Sequence, residues 1–156
     1  VGSLQYATIT RPDIAYSVNR VCQFMHSPTT CHWQAVKRIM RYLKGTLNHG
    51  LHFKPTTTEG LHAFSDSGWN SDPDDSHSQY GFAIFHGSNL ISWTSRKQKV
   101  FARSSTEAEY RSLAYTTTEL LWLKQLVSDL HAPITVSPIL LCDNVEAILM
   151  KKKSGY

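Results

Sequence analysis

The chain has 156 residues, 41% hydrophobic and 18% charged, with a formal net charge of +4. That composition describes one ordinary domain, or one domain with a helical attachment, long enough to bury a core without disulfide staples. The three cysteines (Cys22, Cys31, Cys142) form no C-x-x-C pair and the eight histidines are dispersed, which argues against a zinc site and suits a reducing compartment.

No apolar run approaches the ~18 residues of a membrane span, and the N-terminus lacks a signal peptide's apolar core, so a soluble, non-secreted protein is expected. Charge is unevenly spread. Residues 1–60 hold 7 Lys/Arg against 2 Asp/Glu, and residues 61–156 hold 9 against 10. A basic helical part beside a near-neutral part suits a polyanionic partner, although a basic face is also compatible with plain solvation.

Thr10-Arg11-Pro12-Asp13 reads as a helix start, with proline in the first turn and an acid at the positive end of the dipole. Ile14, Val18, Val21 and Met25 follow at helical spacing. Ser27-Pro28-Thr29-Thr30 ends that helix and caps the next, whose predicted stripe is Trp33, Val36, Met40 and Leu43. Lys37, Arg38, Arg41 and Lys44 crowd its later half and Gly45 stops it. Those four cations serve equally well as dipole compensation and as a phosphate-contact surface.

From Gly50 the character changes. Gly50–Phe53 and Leu61–Ser65 read as strands joined by a Thr-rich turn, and Ser71–Asp75 as a polar loop. Gln79–His86 alternates as a strand, Gly87-Ser88-Asn89 is a hairpin turn, and Leu90–Thr94 is the partner strand. A long helix opens at Ser104-Ser105-Thr106-Glu107, a capping-box pattern, and runs to about Leu130. Ile139–Cys142 is a short continuous apolar run of the kind expected for a buried parallel strand. Asp143 follows, and Val145–Met150 begins another helix before Lys151-Lys152-Lys153-Ser154-Gly155-Tyr156. Antiparallel strands, a helix and then a buried strand make a mixed α/β sheet.

Asp66 and Asp143 each end a strand, the place where open α/β sheets bind ligands. Taken singly, Asp66 also serves as a turn former and Asp143 as a helix cap. On the long helix, Leu113, Thr116, Leu120, Leu123, Val127 and Leu130 fall within about 60° of Glu109, which puts Glu109 on the apolar stripe and Glu107 off it. A carboxylate on a buried stripe is costly unless a cation offsets it. An all-carboxylate cluster suits hard divalent ions better than zinc.

These residues carry a resemblance. Leu4-Gln5-Tyr6, Thr10-Arg11-Pro12-Asp13-Ile14, His32-Trp33 and Arg41-Tyr42-Leu43-Lys44-Gly45-Thr46 resemble the end of reverse transcriptase in copia-type retrotransposon Pol polyproteins. Phe64-Ser65-Asp66-Ser67-Gly68-Trp69, Leu90–Gln98, Ser104–Tyr110 and Leu141-Cys142-Asp143-Asn144 resemble the RNase H domain that follows it.

The resemblance implies a helical connection over residues 1–48 and an RNase H-like domain over 49–156, with three antiparallel strands, a parallel strand and flanking helices. It implies hydrolysis of the RNA strand of RNA–DNA hybrids by two Mg²⁺ (or Mn²⁺) ions, with Asp66, Glu109 and Asp143 as catalytic metal ligands. The nucleic acid would meet Lys37, Arg38, Arg41, Lys44, Arg96 and Lys97. A reverse transcriptase polymerase domain would be the partner in the full polyprotein, in the cytoplasm (within a virus-like particle) or the nucleus, with no membrane.

The sequence departs from the family pattern twice. The family has a fourth acidic residue on a final helix, and this chain reaches Tyr156 first, so a domain incomplete at its C-terminus, with activity lowered or lost, is expected. The loop before the second strand is basic in the family and here reads Asp74-Asp75-Ser76-His77-Ser78-Gln79. A non-catalytic nucleic-acid-binding remnant of the same fold is the alternative reading.

Overall fold

A computed structural model describes residues 1–55, 60–71, 76–132 and 134–143, and the chain divides into two units, Val1–His52 and Phe53–Tyr156. The Thr-rich turn, most of the Ser71–Asp75 loop, the expected Val145–Met150 helix and the lysine-rich end lie outside the described residues.

In the first unit, a short helix α1 (Gly2–Ala7), which the sequence pattern does not announce, precedes a 3-10 turn at Pro12–Ile14, α2 (Ala15–Cys22) and α3 (Thr30–Gly45). Thr29 caps α3: its hydroxyl accepts from the His32 N–H, and the His32 ring accepts from the Thr29 N–H. The core is Ile14, Val18 and Val21 against Val36 and Ile39.

The predicted α3 stripe is thereby corrected. Trp33 and Met40 are each 54% exposed, because α2 contacts the face carrying Val36, Ile39 and Leu43. The Lys37 ammonium sits 5.5 Å from the Trp33 ring centroid. Met25 is exposed too, since α2 stops at Cys22. Pro12 and Asp13 stand in the first turn as the helix-start reading expects, and Arg11, only 8% exposed, adds a second role for the motif. Its guanidinium grips both Asp13 oxygens (3.0 and 2.7 Å) and donates to the Thr46 carbonyl and hydroxyl (3.0 and 2.8 Å). That fork ties the end of α3 to the start of α2.

Among the described residues the second unit forms a four-stranded sheet in the order β3-β2-β1-β4, from β1 (Leu61–Gly68), β2 (Gln79–His86), β3 (Asn89–Lys97) and β4 (Ile139–Leu141). The first three are antiparallel and β4 pairs in parallel with β1. Gly87, at φ 57°, makes the hairpin turn a conformation that suits glycine. α4 (Ser105–Asp129) packs on one face over β1 and β2, and the core is Leu61, Ala63, Ile84, Leu120, Leu123 and Ile134.

Gly50–Phe53 is not a strand. The backbone of Lys54 is satisfied by a side chain instead: Asn89 accepts from the Lys54 N–H and donates to the Lys54 carbonyl, both at 2.8 Å. Among the described residues β4 is an edge strand rather than a buried one. Leu140 packs into the core, whereas Ile139 (57%) and Leu141 (45%) are exposed on the sheet face away from α4. On that same face of β1 and β2, the rings of His62, Phe64 and Phe85 contact one another.

Candidate metal centre

The parallel pairing of β1 and β4 sets two carboxylates level. Phe64 lies opposite Leu141, so two further residues along each strand lead to Asp66 and to Asp143. β1 continues to Gly68, which places Asp66 inside the strand rather than at its last residue. Its cross-strand partner on β2 is Gly81, which has no side chain to crowd the carboxylate. Glu109 comes from the second turn of α4 and is 5% exposed. Carboxylate oxygens of Asp66, Glu109 and Asp143 all lie within 4.8 Å of one another.

The start of α4 shows why Glu109, not Glu107, enters this cluster. Ser104 caps the helix by accepting from the Glu107 N–H at 3.1 Å. The Glu107 carboxylate accepts from the Arg103 N–H, rather than the Ser104 N–H of a full capping box, and pairs with Arg111 at 2.7 Å. Those donors hold its carboxyl below the usual range. Glu109 has the opposite setting. Burial, then the charges of Asp66 and Asp143, push its carboxyl up to about 7, against one helping N–H from Ser67.

That Ser67 N–H is shared: it lies 2.8 Å from Asp66 Oδ1 and 3.1 Å from Glu109 Oε1. Glu109 Oε2 is buried and has no hydrogen-bond partner among the described residues. An orphaned, buried carboxylate oxygen facing two more carboxylates is an arrangement that a cation satisfies. The donor set is all oxygen, which suits Mg²⁺, Mn²⁺ or Ca²⁺ rather than zinc.

A chain of buried hydroxyls holds α4 against β1 beneath the cluster. Thr116 Oγ1 lies 3.1 Å from Ser65 Oγ, Ser65 Oγ lies 2.8 Å from Ser112 Oγ, and Ser112 Oγ donates to the Asp66 carbonyl at 2.9 Å. The Thr116 hydroxyl also lies 2.8 Å from the Ser112 carbonyl of its own helix, so its one hydrogen is shared between that carbonyl and Ser65. The helical period places Thr116 on the stripe but does not single out Ser112 or Ser65. Polar residues at 109, 112 and 116 of one buried face were the available signal. Along the same helix Leu130, assigned to the stripe, is 69% exposed beyond the end of α4.

The remaining candidates are cations on two other elements. Lys37, Arg38, Arg41 and Lys44 are exposed on α3, in the first unit. Arg96 and Lys97 end β3, with Arg96 exposed and Lys97 partly covered.

Comparison with known proteins supplies a family. The chain is 54% identical over 147 residues, 94% of its length, to the retrovirus-related Pol polyprotein from transposon RE1 of Arabidopsis thaliana. It is 51% identical over the same share to the RE2 Pol polyprotein of that plant, and 39% identical over its whole length to the Pol polyprotein of transposon TNT 1-94 of Nicotiana tabacum. The chain belongs to the copia-type Pol polyprotein family. It spans about a tenth of the length of the Pol polyproteins it matches. No family model and no solved structure matches this Pol segment. No helix among its described residues is long and apolar enough to cross a membrane.

Proposed function

We propose that the second unit is the RNase H-like part of a Pol polyprotein and hydrolyses the RNA strand of RNA–DNA hybrids. The observation that carries this reading is the cluster of Asp66, Glu109 and Asp143 within 4.8 Å, with Glu109 Oε2 buried and without a hydrogen-bond partner among the described residues. Asp66 and Asp143 are exposed, so they face the side from which a phosphodiester arrives, and Glu109 closes the floor. Divalent ions held by Asp66, Glu109 and Asp143 would supply activation of the attacking water and neutralisation of the leaving oxygen. The chain's own part is to hold three carboxylates at one spacing: Ser67 shares its N–H between two of them, and the hydroxyl chain from Thr116 to Asp66 fixes helix against strand. A hybrid would be recognised through its shape and 2′-hydroxyls more than through base sequence.

The test is cleavage of a labelled hybrid in Mg²⁺ or Mn²⁺, with Asp66→Asn alongside. Loss of cleavage in the variant and in EDTA is expected; equal cleavage by both proteins overturns the assigned site. Arg96 and Lys97 on β3 are proposed backbone contacts to the hybrid, and the polymerase domain of the full polyprotein is the proposed covalent neighbour.

The exposed row Lys37, Arg38, Arg41 and Lys44 supports a further contact between α3 and nucleic acid, which stands even without catalysis. Replacing Lys37, Arg38 and Arg41 with Gln should weaken hybrid binding and flatten its salt dependence, by about 1 in log–log slope for each phosphate no longer neutralised. An unchanged slope would mark the row as a solvated face.

A further inference from the structure

Asp66 and Glu109 belong to different elements and repel each other, yet their oxygens lie within 4.8 Å. The hydroxyl chain secures the body of α4 to β1, but it meets the helix at Ser112, one turn beyond Glu109. A second connection meets both ligands' immediate neighbours. Gln98, the residue just past β3, is 1% exposed. Its Nε2 donates to the carbonyl of Ala108 at 2.9 Å and lies 3.4 Å from Ser67 Oγ. Ala108 precedes Glu109 and Ser67 follows Asp66, so one amide from a third element spans the gap between them.

The backbone of Gln98 is itself held. The Gln98 N–H donates to the Ser78 carbonyl at 2.8 Å, and His77 Nδ1 lies 2.9 Å from the Gln98 carbonyl, with the His77 ring stacked on Phe101 at 4.0 Å. Packing does not explain why this position is a glutamine. Its Oε1 is buried with no partner among the described residues, a cost that a methionine of similar shape avoids.

We propose that Gln98 is a positioning residue that sets the spacing of Asp66 and Glu109 for a divalent cation, an inference that rests on reading those carboxylates as metal ligands. Outer groups that orient ligands in this way change metal affinity without touching the metal.

The experiment titrates the full chain with Mn²⁺, followed by calorimetry, and compares wild type with Gln98→Met and Gln98→Asn. Both variants should lose roughly 10- to 100-fold in affinity, while the cation-free melting temperature of Gln98→Met stays level or rises. Wild-type affinity in a folded variant overturns the proposal, as does a lowered melting temperature with intact affinity, the pattern of a merely structural residue.

A second arm needs no cation. In EDTA, Glu109→Gln should raise the melting temperature by relieving repulsion, and by less in the Gln98→Met background, where the carboxylates are free to separate. Equal increments in both backgrounds overturn the positioning role. Failure of wild type to bind Mn²⁺ overturns the metal-ligand reading instead, and leaves this second arm to decide the positioning role.

Discussion

Neutralising Glu109 should make the cation-free protein more stable, not less. The Glu109 carboxyl rises from an ordinary 4.5 to about 7, chiefly through burial and then through Asp66 and Asp143. That rise corresponds to roughly 3 kcal/mol favouring the protonated form in the fold.

The sign follows from linkage. A carboxyl whose pKa is raised in the fold leaves stability intact below 4.5 and subtracts from it as pH climbs through about 7. Wild type in EDTA should therefore weaken across that window, and Glu109→Gln should not. Ser67 N–H still finds an acceptor in the glutamine carbonyl. On the alkaline side the variant should melt higher by on the order of 10 °C for a unit of this size.

Millimolar Mg²⁺ should reverse the order, because binding stabilises wild type by RT ln(1 + [L]/Kd) and leaves the variant unmoved. Thermal melts followed by circular dichroism, on both sides of the window and with EDTA or Mg²⁺, measure all of this. A Glu109→Gln protein less stable than wild type in EDTA above pH 7 would refute the reasoning, since Glu109 would then be satisfied by its surroundings rather than strained by them.

Three further predictions rest on separate parts of the structure. Ser112→Ala removes the donor to the Asp66 carbonyl and the hydroxyl contact to Ser65, at a cost of about 1–3 kcal/mol in urea denaturation; an unchanged midpoint would show the hydroxyl chain to be incidental. The Arg11 guanidinium holds the Asp13 carboxyl down to about 2 from 3.8, so its stabilisation is complete above 3.8 and disappears as pH falls through about 2. With Asp13 partly exposed, screening reduces this to about 1 kcal/mol or less, and Asp13→Asn should flatten that acid limb of a urea-midpoint-versus-pH plot. On β4, Leu140→Ala should cost about 1–3 kcal/mol and Leu141→Ala under about 1 kcal/mol, since only Leu140 packs against the core; equal costs would place β4 away from the sheet edge described.

Much of the site was legible because it depends on local patterns. Each aspartate ends or nearly ends a strand, and the helical period alone separates Glu109 from Glu107, so the three carboxylates could be brought together from sequence. The same reasoning misjudged faces. Ile139–Cys142 reads as buried because a continuous apolar run carries no record of which side another layer covers, and among the described residues α4 covers one side, leaving Ile139 and Leu141 exposed. Trp33 and Met40 share a helical stripe with Val36, but burial depends on where α2 crosses α3, which no single-helix pattern contains. Gly50–Phe53 has strand composition, and Asn89, 35 residues along from Lys54, satisfies the adjoining backbone in place of a ladder.

The polar residues that surround the carboxylates expose a deeper asymmetry. A helix that must present a carboxylate to a strand across a low-dielectric interface cannot rely on apolar packing alone, because packing is indifferent to sliding by a fraction of a turn. Hydrogen bonds are not: a hydroxyl at 2.8 or 2.9 Å fixes distance and direction together. Around this cluster, Ser65, Ser112 and Thr116 act on the body of the helix, and Gln98 on the residues beside the ligands. In the structure each is a polar residue on a buried face. Collectively they convert an approximate apolar contact into a defined spacing, and that spacing is what an oxygen-liganded cation requires. The α4 positions that break the hydrophobic pattern, Glu109, Ser112 and Thr116, are therefore where the fold's stability gives way to the demands of its site.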